Sequence, residues 1–579
     1  MDIIVALAQH NPHVGYLEYN LRLAVAAADA ARHLGADLVA LPELALIGYP
    51  PEDLLHQPEF LQHLVAIEQQ FHQALAQIGI DAVYGSVRQQ AGRLYNAGVF
   101  VCHGQEQGFA TKKLLPNYGV FDEQRYFSTR EPVQPFTYRG LLFGITICED
   151  IWHASGPVAQ LAAVGARWIL NLNASPYHVG KWRQRHQVVA QRIAETAIPI
   201  LYVNQIGGQD ELVFDGNSFV MDGAGHLVLR CRSFSSDLGL VRLRGEPGGT
   251  VEATSSPSPL VGEGRVRGVK DTDDDSEERE IYAALCLGLH DYVSKNGFSG
   301  VVLGLSGGID SVLTAVICRD ALGAAQVTAV MMPSAYTAQE SLDDATACAD
   351  ALGIELVSVG IEPLFTEFKR QLQPLFAGLA EDVTEENIQP RIRATLLMAL
   401  CNKHGRLLVT TGNKSEISMG YATLYGDMAG GFSVLKDLLK TAVYRLARAR
   451  NRWAEQRCEA VPIPTNVLVR PPTAELKPGQ KDSDTLPPYP ILDHILHLYV
   501  EKGLGIEAIV AAGIDRVVVR QVLSQVDRSE YKRRQAPPGV RITTCAFGRD
   551  RRYPITNGFR FPPHPLNPSP TRGEGEIRG

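Results

Sequence analysis

The sequence predicts two α/β domains joined in tandem. Three observations carry that expectation: a length of 579 residues, too great for one hydrophobic core; short β-rich runs that alternate with helix-patterned stretches in both halves; and one polar tract between the halves. Apolar residues make up 45% of the chain and charged residues 20%, with a formal net charge of -8. That mild acidity argues against a nucleic-acid backbone or an anionic membrane as the main partner. The start, MDIIVALAQHNP, carries an acid at position 2 and reads as a first strand, not a signal peptide. No run is long and apolar enough to span a bilayer. The nine cysteines are scattered without a C-x-x-C pair, so neither a zinc site nor a disulfide framework is expected. A reducing, cytoplasmic setting follows as the expectation.

In chain order, NLRLAVAAADAARHLG has helical periodicity and stops on a glycine. LVALPE, AVYGSV, LLFGITICED, WILNLNAS and PILYVNQIGG read as strands. Together they define a first domain over residues 1–245. Residues 246–275 are rich in Gly, Pro, Ser and charge, with almost nothing to bury, and read as a flexible linker. PSPLVGEGRVRG at 257–268 matches PSPTRGEGEIRG at 568–579 in 8 of 12 positions. A repeat so short and polar has no core to build, so both copies read as inserted tract, the second in a disordered tail over 563–579. The second domain, 276–562, opens with the helix pattern EREIYAALCLGLHDYVSKNG. A strand, a serine-glycine turn, a helix and the strand QVTAVMMP follow, as a parallel βαβ unit requires.

That turn, Ser306-Gly307-Gly308-Ile309-Asp310-Ser311, offers close-packed N–H groups and a helix N-terminus, the elements of an anion site. Two glycines alone would equally serve a tight turn. A γ-phosphate-transfer loop needs a lysine before its final hydroxyl, and none is present. Hydroxyls and an acid suit a pyrophosphate that leaves with Mg²⁺, which implies attack at an α-phosphate and adenylation of a substrate. In the first half, Glu43, Lys112 and Cys148 each end or follow an apolar run, within LPELALIGYPPEDLL, TKKLLPNYGVFDEQRYF and FGITICEDIW. An ordinary thiol is only about 3% thiolate at neutral pH. A nearby carboxylate base and an ammonium would raise the useful population, and the three residues together suit a nucleophilic amidase. Alone, each has a plain alternative: a core cysteine, a helix-cap acid, a surface lysine.

SGGIDS after an apolar strand resembles the pyrophosphate loop of the ATP-pyrophosphatase superfamily, which is adenine-nucleotide α-hydrolase-like. TEENIQPRIRATLLMALCNKHGRLLVTTGNKSEISMGYATLYGDMAGGFSVLKDLLKTAVYRLA, RPPTAELKPGQKDSDTLPPYPILD and SEYKRRQAPPG resemble the NAD synthetase family within it. The resemblance implies a doubly wound, Rossmann-like domain. It implies ATP binding by Gly304, Leu305, Ser306, Gly307, Gly308, Ile309, Asp310 and Ser311, with Thr411 near the nucleotide. Asn387, Glu416 and Lys532 would contact deamido-NAD, and Asp310 and Glu416 would be ligands of Mg²⁺. The order Glu43, Lys112, Cys148 resembles the carbon-nitrogen hydrolase (nitrilase) superfamily, which implies an αββα sandwich and glutamine contacts at Tyr118, Ser175 and Lys181. The K-x-x-L-P pattern of that family selects Lys112 over its neighbour Lys113.

The chain as a whole is similar to glutamine-dependent NAD synthetases. That implies amidation of deamido-NAD to NAD with ammonia from glutamine, consumption of ATP, and a homo-oligomer. Two other readings stand beside it: an amidotransferase that adenylates a different acid, and an amidase whose second domain only binds nucleotide.

Overall fold

The computed structural model describes residues 2–130, 133–244, 251–255, 276–477 and 479–559. Both repeat copies and the expected tail lie outside the described residues.

Two sheets face each other in the first domain. One has seven strands, ordered Val251–Ser255, Asp237–Leu243, Ile3–Gln9, Leu38–Ala40, Asp81–Gln90, Arg93–Cys102 and Gln105–Thr111. The other has six, ordered Leu227–Arg230, Phe219–Met221, Ile200–Asn204, Trp168–Asn173, Leu141–Ile147 and Phe136–Tyr138. Strand alternation sends Val5, Leu7, Val83 and Phe100 of the first inward against Phe143, Trp168, Leu170 and Val203 of the second. The other faces are covered by helices. Ala24, Ala28, Leu64 and Phe71, on Leu17–His33 and Pro58–Ile78, pack on the first sheet. Val158, Leu161, Val189 and Ile193, on Pro157–Ala163 and Lys181–Thr196, pack on the second. This is the expected αββα sandwich.

The first domain's sheet extends past residue 245. Val251–Ser255 pairs antiparallel with Asp237–Leu243, and Val251 is buried. Residues 251–255 of the polar tract therefore form an edge strand, because Val251 finds a buried place in the sandwich core that composition could not show.

The second domain contains a five-stranded, all-parallel sheet ordered Glu355–Ser358, Val327–Met331, Val301–Gly304, Leu407–Thr410 and Phe432–Ser433. Chain order reverses between Val301–Gly304 and Leu407–Thr410, so the crevice at their C-terminal ends is the natural ligand site. Helix Ile309–Leu322 starts directly after the serine-glycine turn.

The two domains are pinned together by helix Ser276–Lys295. Its Asp291 accepts hydrogen bonds from Asn11 Nδ2 and the Gly208 amide, both at 2.7 Å, while Lys295 Nζ donates to the carbonyls of Pro12 and Gly208. Asp291 is buried, and Lys295 with these donors holds its carboxyl down at about 2. A second seam runs from the C-terminal part of the chain: Arg541 N donates to Glu211 O, and Val179 N to Ile542 O.

Candidate active sites

The first site forms where both sheets of the sandwich end. Glu43 follows Leu38–Ala40 in the turn that begins at Leu41, and that turn lies directly over Gly85. A Cβ on Gly85 would come within 2.3 Å of Leu44 N and 2.5 Å of Glu43 Cα, so only glycine admits this approach. Lys112 directly follows Gln105–Thr111 of the seven-stranded sheet, and Cys148 directly follows Leu141–Ile147 of the six-stranded one. Cys148 holds φ at 44°, a left-handed conformation that costs an L-residue about 1–2 kcal/mol. Strain of this kind persists where surrounding structure imposes it, as at a sharp strand-to-helix turn that presents a nucleophile.

The three predicted side chains are buried side by side. Lys112 Nζ donates to Glu43 Oε1 at 2.8 Å, and neither side chain is exposed. Glu43 Oε1 also accepts from Asn96 Nδ2 at 2.7 Å, and its Oε2 accepts from the Ala174 amide at 2.9 Å. The Lys113 backbone amide donates to Asp150 Oδ1 at 2.9 Å. The geometry therefore selects Lys112, as the K-x-x-L-P pattern did.

The sequence reading missed a second acid. Glu123 accepts from Lys112 Nζ at 2.7 Å and from the Tyr49 hydroxyl at 2.8 Å, and its Oε2 is buried with no hydrogen-bond partner among the described residues. Its signal lay in the fragment already quoted for Lys112, but a lone Glu in FDEQRYF is indistinguishable from a surface acid. Two carboxylates now share one ammonium. Burial, the largest cause, pushes Glu123 up to about 7, with Lys112 pulling it down and Glu43 pushing it up.

This balance revises one expectation. Burial and then the Glu43 charge push the Cys148 thiol well above its ordinary range, and Lys112 only partly opposes them.

The expected glutamine contacts line the same locus. Ser175 follows the Ala174 amide that binds Glu43, and its Oγ accepts from Arg185 Nε at 3.1 Å. Arg185 is fixed by both oxygens of Asp215, at 2.8 and 2.9 Å. Lys181 Nζ sits 4.1 Å above the Trp152 ring, and its pKa falls to about 8, chiefly through burial and the Arg185 charge. Tyr118 is exposed, and its hydroxyl donates to Glu149, the residue after Cys148, at 3.0 Å.

The second site is a cavity of about 340 Å³ at the switch point of the parallel sheet. Gly304 through Ser311 line it, as do Thr411 and Glu416. Within the turn, Ser311 Oγ donates to Gly308 O at 2.9 Å and accepts from the Ser306 amide at 3.1 Å. Gly307 has φ at 79°, and a Cβ there would lie 2.1 Å from Ser341 O. Arg470, which also lines the cavity, donates to Gly307 O at 3.0 Å and anchors the turn. Leu305 and Ile309 are buried.

Asp310 and Glu416 converge on one ammonium. Lys440 Nζ donates to Asp310 Oδ2 at 2.5 Å and to Glu416 Oε1 at 2.8 Å. Asn413 Nδ2 donates to the other oxygen of Asp310 at 3.0 Å. Burial pushes Glu416 up to about 7 against the pull of Lys440. Two hard carboxylate oxygens beside a pyrophosphate-shaped turn fit a divalent cation such as Mg²⁺ and offer no soft ligand. Lys440 was not singled out from sequence. It is the first residue of helix Lys440–Gln456, where a cation opposes the helix dipole, so its place depends on these two acids.

Two predicted residues are not among the cavity lining. Asn387 Oδ1 accepts from the Thr423 hydroxyl at 2.7 Å, and Lys532 Nζ donates to the carbonyls of Gly420 and Ala422 at 2.7 and 2.8 Å. Both brace the 420–423 loop, whose Tyr421 and Ala422 do line the cavity.

Comparisons with known proteins agree with both halves. A carbon-nitrogen hydrolase family model matches residues 4–245, and an NAD synthase model matches residues 281–536. The chain is 44% identical to the glutamine-dependent NAD(+) synthetase of Thermotoga maritima, over 96% of this chain and 99% of that one. The chain belongs to the glutamine-dependent NAD(+) synthetases. It is also 46% identical to a family member from Xylella fastidiosa, over 96% of this chain and 99% of that one. A solved family structure from Acinetobacter baumannii, in complex with ADP, is 43% identical, covers 96% of this chain and 99% of its own, and has a TM-score of 0.74. Among the described residues, no helix is long and apolar enough to cross a membrane, and all nine cysteines lack a disulfide partner.

Proposed function

We propose that the chain converts deamido-NAD to NAD in two coupled half-reactions, one in each domain. The observation that carries this is the burial of Glu43, Lys112 and Cys148 side by side, on a chain whose second site is a cavity built from the serine-glycine turn.

Cys148 Sγ attacks the glutamine carboxamide carbon while Glu43 takes the thiol proton. Lys112, an ammonium held by two carboxylates, donates to the developing oxyanion. Glu43 returns the proton to the departing nitrogen, and ammonia leaves. Glu43 then activates water against the thioester, which releases glutamate and restores the thiol. Tyr118, Ser175 and Lys181 orient the amino-acid end of glutamine.

In the second cavity, Gly304 to Ser311 cradle the ATP phosphates, with Thr411 at the nucleotide. A carboxylate oxygen of the nicotinate ring attacks the α-phosphorus and pyrophosphate departs. Ammonia then attacks the activated acyl carbon, and AMP leaves. Asp310 and Glu416 would hold Mg²⁺, whose charge would neutralise the departing pyrophosphate. Asn387, Glu416 and Lys532 serve the deamido-NAD side, the first and last through the loop they brace. Ammonia passes internally, since in bulk water it would mostly protonate. A homo-oligomer in a reducing cytoplasm fits the free thiols and the family, and the repeat copies at 257–268, within the 246–275 linker, and at 568–579, within the tail, are tolerated insertions.

The test follows NAD formation from deamido-NAD, ATP and Mg²⁺, with glutamine or ammonium, in wild type and Cys148→Ala. Ammonium should support both proteins and glutamine only the wild type. Glutamine use by Cys148→Ala would refute the nucleophile. Failure with both nitrogen sources would mean a different acid is adenylated, or none. Deleting 563–579 should leave both rates within about twofold, on the tolerance of terminal tracts.

A further inference from the structure

Asp150 lies two residues after Cys148 and is buried. Its carboxylate does not face the lysine ammonium as a hydrogen-bond partner. It accepts three backbone amides instead. Oδ1 takes the N–H groups of Lys113 and Leu114, both at 2.9 Å, and Oδ2 takes that of Ile147 at 3.0 Å. Those amides belong to different sheets. Lys113 and Leu114 continue the edge strand Gln105–Thr111 of the seven-stranded sheet, whereas Ile147 ends the strand Leu141–Ile147 of the six-stranded sheet. Lys112 stands immediately before the first pair and Cys148 immediately after Ile147.

We infer that Asp150 is a positioning residue for the glutamine half-reaction: its one carboxylate ties the lysine loop of one sheet to the nucleophile turn of the other. The inference rests on the roles proposed above for Lys112 and Cys148. The physical reason is that apolar side chains, which are non-directional and tolerate small slides, fill most of the space between the two sheets. The polar bonds that also cross it, such as Ala174 N–H to Glu43 and the Tyr138 hydroxyl to Asp81, do not join the segments that bear Lys112 and Cys148. An oxyanion donor and a nucleophile borne on opposite sheets need finer registration than that. Charge-assisted bonds from one rigid carboxylate to both segments supply it. Lys112 is pinned on its own sheet by its amide, which donates to Asn96 O at 2.8 Å, so the Asp150 bonds join that pinned segment directly to the cysteine turn.

The test uses the full-length enzyme with Asp150→Asn and Asp150→Ala. Asparagine keeps one accepting oxygen but sets an N–H₂ group against either the Ile147 amide or the Lys113 and Leu114 amides. Alanine removes every tie. Glutamine-supported kcat should fall by about 10²-fold in Asp150→Ala, the scale of an ångström-size misplacement, and by less in Asp150→Asn. KM for glutamine should change only a few-fold, and ammonium-supported NAD synthesis should stay at the wild-type rate. Iodoacetamide labelling of Cys148, followed by mass on its own peptide, needs no oxyanion donor and should persist within a few-fold.

Glutamine turnover within threefold of wild type in Asp150→Ala would overturn the inference. So would labelling that falls as far as kcat, since Asp150 would then merely shape the cysteine turn. A parallel fall in ammonium-supported synthesis would make Asp150 a general determinant of folding and would equally overturn it. Wild-type enzyme that keeps its glutamine activity after Cys148 is fully labelled would instead refute the nucleophile assignment.

Discussion

Lys440 Nζ lies 2.5 Å from Asp310 Oδ2, although the two residues are 130 positions apart in the chain. The same ammonium reaches Glu416 at 2.8 Å, so one buried cation holds together the two acids assigned to the synthetase cavity. Removing it leaves two carboxylates facing each other beside a site meant for phosphates.

Lys440→Met should therefore lower NAD formation from ammonium and from glutamine alike, by about 10²-fold or more, the usual scale for one charge-stabilising donor. The assay is pyrophosphate release with deamido-NAD and ATP. A rate within tenfold of wild type would show that Lys440 is a structural counter-ion only.

Glu123→Gln should separate the half-reactions. Lys112 would lose one of its two carboxylate partners and be drawn toward Glu43, away from the oxyanion. Glutamine-supported kcat is expected to drop about 10²-fold, while ammonium-supported synthesis holds. Equal loss with both nitrogen sources would contradict this role.

Gly307→Ala tests the turn. A methyl group at φ 79° would press on Ser341 O at 2.1 Å, so the turn must open or Ser341 must retreat. KM for ATP should rise at least about tenfold with either nitrogen source, since each lost or strained backbone N–H contact weakens phosphate binding. Unchanged ATP kinetics would remove the turn from the phosphate site.

His10 gives a pH signature. It is buried, and burial pushes its pKa down to about 4 from the usual 6.5. Below pH 6.5 the unfolded chain takes up a proton that the folded chain refuses until about pH 4. Wild type should thus lose stability through that window relative to His10→Gln, by up to about 3 kcal/mol. Urea titrations at pH 7 and pH 4.5 measure the difference. An equal wild-type–variant gap at both pH values would show that His10 does not titrate this way.

The sequence alone determined the two-domain layout, the parallel character of the second sheet, and the four polar landmarks Glu43, Lys112, Cys148 and Ser306–Ser311. Each of these is local: a reactive residue at the end of an apolar run, or a turn whose glycines and hydroxyls sit side by side. What the tertiary structure decided are the partners that lie far apart in sequence. Glu123 and Asn96 beside Lys112 and Glu43, Lys440 between Asp310 and Glu416, and the edge strand at Val251 all depend on which segments meet. Asn387 and Lys532, which only the family resemblance pointed to, were placed by the fold against the 420–423 loop, a contact no local pattern could show. Protonation at the glutaminase site was also beyond sequence. A thiol's pKa depends on the sum of burial and all nearby charges, and burial with the carboxylates of Glu43, Glu149 and Glu123 met the one ammonium of Lys112 only when the chain closed around Cys148.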